Sequence, residues 1–283
     1  MIVHQPGYVS TSRRVTAKLS SVPSGSNPWI SAVTDGGGFR QFESTSGLVL
    51  APGMIVSVFG LNLAAETIAA TSLPLPTALG DARIEARTSS QSTWTSMPLF
   101  YASPGQVNAL IPPEILGEAE STNLSIRAVR GNANSSSQWT VPIRPYSASL
   151  FSADSSGLGA VAGFFVRVLP DDTQQRGGLA NCSSAGCAVN PVAFGGPANR
   201  LFLELFGTGF RNASAPDSLR VYIGGKPAEI DYAGPHPQFI GLDQLNVKVP
   251  ADIARGEALD LTVWVKNEGQ AWQASNQLTV RFE

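Results

Sequence analysis

Charge is scarce in this chain. Lys, Arg, Asp and Glu make up 14% of its 283 residues, against roughly 25% in an average soluble domain. The 19 basic residues are scattered among 21 acidic ones, for a net charge of −2. Without a basic stripe nothing neutralises a phosphate backbone, which excludes nucleic acid as a partner. Histidine is nearly absent: His4 and His236 are the only two. No Gly-x-Ser-x-Gly elbow occurs, and His236 stands between Pro235 and Pro237, so nucleophile–His–acid catalysis has no credible base. The chain is therefore expected not to be an enzyme. No apolar run approaches the ~20 residues of a membrane-spanning helix, so no membrane insertion is expected. Met1-Ile-Val-His-Gln-Pro-Gly7 lacks the basic and apolar regions of a secretory signal.

Helical periodicity is missing as well. No window of 11 or more residues carries a 3.6-residue apolar repeat. What replaces it is alternation. Leu219-Arg-Val221-Tyr-Ile223 sets three apolar side chains on one face and Arg220 and Tyr222 on the other. Leu245-Asn-Val247-Lys-Val249, Leu261-Thr-Val263-Trp-Val265 and Leu278-Thr-Val280-Arg-Phe282 repeat the pattern. Each reads as a half-buried strand, and Gly and Pro punctuate them at Gly224-Gly225, Gly234-Pro235, Pro250 and Gly256. Many short strands with regular turns make a β-sandwich.

The first half presents the same elements in the same order. Val56-Ser-Val-Phe-Gly60 matches Leu203-Glu-Leu-Phe-Gly207, and Phe100-Tyr101-Ala-Ser-Pro104 matches Asp231-Tyr232-Ala-Gly-Pro235. Gln106-Val-Asn108 matches Gln244-Leu-Asn246, and Ser137-Gln-Trp-Thr-Val141 echoes Asn276-Gln-Leu-Thr-Val280. A duplicated sandwich follows, with length differences confined to loops. The expected organisation is a strand and linker left from an upstream domain over 1–26, a first sandwich over 27–145 and a second over 146–283. The second carries an excursion loop at 171–195, and the chain reads as the C-terminal piece of a longer polypeptide.

Gly47-Leu-Val-Leu-Ala-Pro-Gly53-Met-Ile-Val-Ser-Val-Phe-Gly60, with Leu99-Phe-Tyr101-Ala-Ser-Pro-Gly-Gln106-Val-Asn108, resembles a domain family of large exported proteins from acidobacterial-type soil bacteria. Leu205-Phe-Gly-Thr-Gly209, Ile223-Gly-Gly225, Tyr232-Ala-Gly234 and Gly241-Leu-Asp-Gln-Leu-Asn246 resemble that family's C-terminal copy. Both are similar to the IPT/TIG branch of immunoglobulin-like, E-set type folds. The resemblance implies two tandem immunoglobulin-like β-sandwiches, an extracellular or cell-envelope location and no catalytic residues.

Several residues then invite a role. Cys182 and Cys187, with four small residues between them, fit a loop-closing disulfide, two free thiols, or half of a metal site with no further ligands in sight. The repeated set Tyr101, Gln106, Asn108 and Tyr232, Gln244, Asn246 is expected to be structural, a Tyr hydroxyl pinning a corner and the amides satisfying loop backbone. No cofactor is expected. Asp154, Asp171, Asp172 and Asp217 are loop carboxylates of the kind calcium takes, without the spacing of an Asp-rich loop. Gly157-Leu-Gly159-Ala-Val-Ala-Gly163 precedes a strand pattern and so reads as a turn, not a dinucleotide loop. Trp264 alternates outward beside Val263 and Val265, and Trp272 sits in a turn. With His236 they form the expected binding surface, for a surface protein or a polysaccharide. The functional expectation is a non-catalytic exported module for surface binding, adhesion or spacing, with the accessory carbohydrate-binding domain of a polysaccharide-degrading enzyme as the alternative.

Overall fold

The computed structural model describes residues 27–42, 48–117, 121–131 and 134–283, and among them every regular element is a strand. The strand and linker expected over 1–26 lie outside these residues. The chain divides into two compact units, with the boundary between Ser147 and Ala148. Each is an immunoglobulin-like β-sandwich.

In the first unit one sheet runs, in spatial order, β1 (Trp29–Asp35), β2 (Ile55–Leu61), β7 (Gln106–Leu110), β6 (Leu99–Ala102), β3 (Ile68–Ala69). The facing sheet runs β10 (Trp139–Ile143), β8 (Thr122–Arg130), β4 (Ala82–Thr88), β5 (Thr95–Ser96), with β9 (Asn134–Ser135) beside β8. Alternation does the folding. β4 buries Ala82, Ile84, Ala86 and Thr88 and turns Arg83, Glu85 and Arg87 away. Leu124 and Ile126 on neighbouring β8, and Val56, Val58 and Val107 from the facing sheet, share one core with these.

The second unit repeats the plan. One sheet is β13 (Gln174–Gly178), β12 (Gly163–Val168), β17 (Arg200–Thr208), β20 (Asp243–Lys248), β19 (Lys226–Pro235), with β11 (Ser149–Leu150) also on β17. The other is β18 (Leu219–Ile223), β21 (Ala258–Val265), β23 (Leu278–Phe282), β16 (Pro191–Val192), with β22 (Gln273–Ala274) on β21. β19 is long enough to pair with β18 at its start and with β20 from Glu229 on, so one strand joins both sheets. In the first unit β5 and β6 divide that task between them.

The excursion is more ordered than a loop. Its residues extend the sheet as β13 and then form a separate hairpin of β14 (Ala180–Ser183) and β15 (Gly186–Val189), before the chain reaches β16. β16 pairs parallel to β23 at Val192↔Phe282, as Leu50 bridges Ile143 in the first unit. The insertion thus sits in the connection between two framework positions that both copies keep. Sequence alternation missed its strands because Gln-Gln-Arg-Gly-Gly has no apolar face to bury.

Candidate functional site

Inward packing of Leu259, Leu261, Val263 and Val265 on β21 obliges Asp260, Thr262 and Trp264 to face outward. On β18 the burial of Leu219, Val221 and Ile223 does the same for Arg220 and Tyr222. The register sets Arg220 opposite Trp264 and Tyr222 opposite Thr262. Trp272, just before β22, joins this face, and its ring lies 4.2 Å from the Arg220 guanidinium carbon. Tyr222 and Trp264 meet edge to face at 6.3 Å, and the Trp264 indole N–H donates to the Thr262 hydroxyl at 3.0 Å. Together they line a depression of about 460 Å³. Both tryptophans are half-buried rather than exposed, because Arg220 and Tyr222 pack against them. The face was only partly legible in sequence: the two Trp residues stand out, whereas Arg220, Tyr222, Asp260 and Gln277 did not. They occupy the outward positions of the same strands or the adjoining loop, and that alternation could have found most of them.

The matching face of the first unit is closed by charge. Glu85 accepts from Arg127 at 2.7 Å with Arg83 at 3.8 Å. Trp94 is held between Arg87 at 4.6 Å and Arg127 at 4.2 Å. The first copy thus builds this face on an Arg–Glu network around one Trp, and the second on two Trp and a Tyr that line a depression.

His236 does not join the tryptophans. It follows β19 beside the outer face of the other sheet, in a row of rings: Phe164 to Phe206 at 6.0 Å, Phe206 to His236 at 5.8 Å, His236 to Phe239 at 4.7 Å. Its Nδ1 accepts from the Gln238 N–H at 3.1 Å. Desolvation among these rings lowers its pKa, partly opposed by Glu204.

The repeated polar set occupies equivalent places. A register irregularity precedes each tyrosine, and Tyr101 then pairs with Asn108 as Tyr232 pairs with Asn246. Tyr232 donates to the Pro235 carbonyl at 2.8 Å, three residues on. The amides bond each other rather than loop backbone: Gln106 to Asn108 at 2.8 Å, Gln244 to Asn246 at 2.9 Å. Period two puts both members of each pair on one face, and in the second unit that face forms a groove of about 450 Å³ that also includes Phe202, Glu204 and Gln174.

Cys182 and Cys187 stand directly opposite on β14 and β15 and are joined as a disulfide. The loop aspartates are engaged by their own neighbours. Asp154 accepts from Ser152 and Ser156, Asp171 from the Thr173 N–H, and Asp172 pairs with Arg200 at 2.7 Å. Among the described residues no three His, Cys, Asp or Glu side chains gather as a metal site would need, and no helix is long and apolar enough to cross a membrane.

No protein-family model and no curated protein matches this chain. Among solved structures it is similar to the FN1-FN3 domains of chicken CNTN1, at 8% identity and a TM-score of 0.21, covering 88% of this chain and 99% of that one. It is similar to the D00-D0 domain of intimin, at 10% identity and a TM-score of 0.18, covering 88% and 98%. The endo-fucoidan hydrolase MfFcnA9 of glycoside hydrolase family 107 overlaps at 12% identity and a TM-score of 0.17, over 91% of this chain and 34% of that one. Overlaps this loose carry nothing about function; the immunoglobulin-like fold rests on the strand pairing itself.

Proposed function

We propose that this chain is a non-catalytic exported module whose second sandwich binds a surface ligand through the face around Trp264 and Trp272, the first serving as a spacer framework. One observation carries the reading: the same outer face is filled by an Arg–Glu–Trp lattice in the first copy and is an aromatic depression in the second. A duplicate kept only for spacing has no use for a concave aromatic patch of this kind. His236 lies between two phenylalanine rings with one nitrogen already accepting a hydrogen bond, an environment suited to packing. The sequence resemblance to a tandem C-terminal domain of exported proteins, and an envelope or extracellular location, belong to the same reading. The test is binding of the full chain to an isolated cell-envelope fraction, alongside a Trp264→Ala/Trp272→Ala double variant. The parent chain should be retained and the variant released. Equal retention of both would remove this face as the site.

A further inference from the structure

The outer face of β18 and β21 carries hydrogen-bonding groups that the fold does not use. Among the described residues, the Tyr222 hydroxyl, the Asp260 carboxylate and the Gln277 amide have no hydrogen-bond partner, and the Arg220 guanidinium has no acidic one; all four line the depression with Trp264 and Trp272. An apolar protein surface pressed onto these groups would strip their water and return nothing. A single-stranded nucleic acid would stack on the rings, but Asp260 and the chain's net charge of −2 oppose its phosphates. A sugar ring suits both halves of the surface. It offers C–H faces to an indole and a rim of hydroxyls to carboxylate, amide and phenol. Trp264 and Asp260 lie four residues apart on β21, roughly 13 Å at the rise of a strand, which suits a run of sugar units rather than a single small ligand.

We infer that this face binds a glycan chain laid along β21, its pyranose rings against Trp264 and Trp272 and its hydroxyls on Asp260, Gln277 and Tyr222. The inference rests on the binding reading above. Arg220 opposite Trp264, with exposed Lys266 one residue past the end of β21, sets positive charge at one end, away from Asp260. A uronate unit would sit at that end, and a neutral unit anywhere along the rings.

Affinity electrophoresis of the full chain through native gels containing hydroxyethyl cellulose, xylan, galactomannan or polygalacturonate tests this. At least one polysaccharide should retard the chain, and Trp264→Ala or Trp272→Ala should weaken that retardation about tenfold or more. Asp260→Ala and Gln277→Ala, both at exposed positions and so harmless to the fold, should weaken it severalfold with an unchanged melting curve. Retardation by xylan, glucan or mannan marks a neutral chain. Retardation by polygalacturonate that falls with salt yet still needs the tryptophans marks a uronate. Retardation by none, or retardation that all four variants keep, overturns the glycan. If none binds while the tryptophan variants lose a protease-sensitive envelope ligand, the glycan falls and the binding reading stands; if that ligand is also unaffected, both fall.

Discussion

Gln244 donates a hydrogen bond to Asn246, 2.9 Å away on the same face of one strand, and Gln106 repeats the arrangement with Asn108 at 2.8 Å. In the first copy the Ser57 hydroxyl adds a bond of 3.0 Å to the same Asn108 oxygen. Truncating Gln244 takes the side-chain donor from a half-buried amide oxygen, at a cost of about 1 kcal/mol, and truncating Gln106 costs less because Ser57 still donates there. Gln106→Ala and Gln244→Ala should each lower the thermal midpoint of the unit that carries them, read by differential scanning calorimetry. Unchanged midpoints in both would show the pair has no structural duty.

The Phe-Gly motif has a steric reason. An added Cβ on Gly60 would land on the Trp29 carbonyl oxygen, and one on Gly207 on the Ser149 carbonyl oxygen. In each copy the first strand crosses at that glycine, Ile30 pairing with Gly60 and Leu150 with Gly207. Because the obstacle is backbone, Gly60→Ala and Gly207→Ala should each cost about 2–3 kcal/mol. Urea unfolding should show this as a lower midpoint with little change in slope.

Buried Asp243 accepts from the Phe210 and Arg211 N–H groups and pairs with the Arg211 side chain at 2.7 Å. Desolvation outweighs these partners and raises its pKa from 3.8 to about 6. The folded chain therefore holds a proton that the unfolded chain has released between those values. The stability tied to this group is complete below about 3.8 and is lost as pH rises through about 6. Urea unfolding at pH 5 and pH 7 should show the parent chain losing ground, on the order of 1–3 kcal/mol, relative to Asp243→Asn. A gap that is constant with pH would refute the shift.

The disulfide joins residues five apart, and a loop this short is worth about 2 kcal/mol by chain entropy. β14 and β15 pair only with each other, so that stabilisation is local. Reduction should raise amide exchange across 180–189 while leaving the main thermal transition within about 1 °C, since local opening and global unfolding are separate events.

Sequence made the strands of the second unit legible because their core residues alternate without interruption. It made the duplication legible because Phe-Gly, Tyr-Ala and Gln-x-Asn each answer a backbone need that recurs in both copies. A finer echo escaped it. Ser136 and Ser275 each donate a backbone N–H to a carbonyl of a neighbouring strand, that of Ala128 and of Val263, and accept the same residue's N–H on the hydroxyl, but a single serine in a serine-rich chain does not stand out. β13 to β15 escaped because polar, glycine-rich strands bury nothing and so leave no periodic trace. The site was half visible. Trp264 and Trp272 mark it by type, while the contrast that gives it meaning, Trp94 clamped by two arginines on the matching face, depends on contacts made across strands.

The excursion has a consequence for the rim of its own sheet. β13 ends its sheet, and its Gln-Gln-Arg-Gly-Gly sequence offers a neighbouring chain an edge with a charge and no apolar side chain. Behind it lies β12, Gly-Phe-Phe-Val-Arg-Val, an aromatic and β-branched strand of the kind that templates strand addition between molecules when left uncovered. By laying β13 over that rim, the insertion replaces an aromatic, β-branched edge with a polar, glycine-rich one.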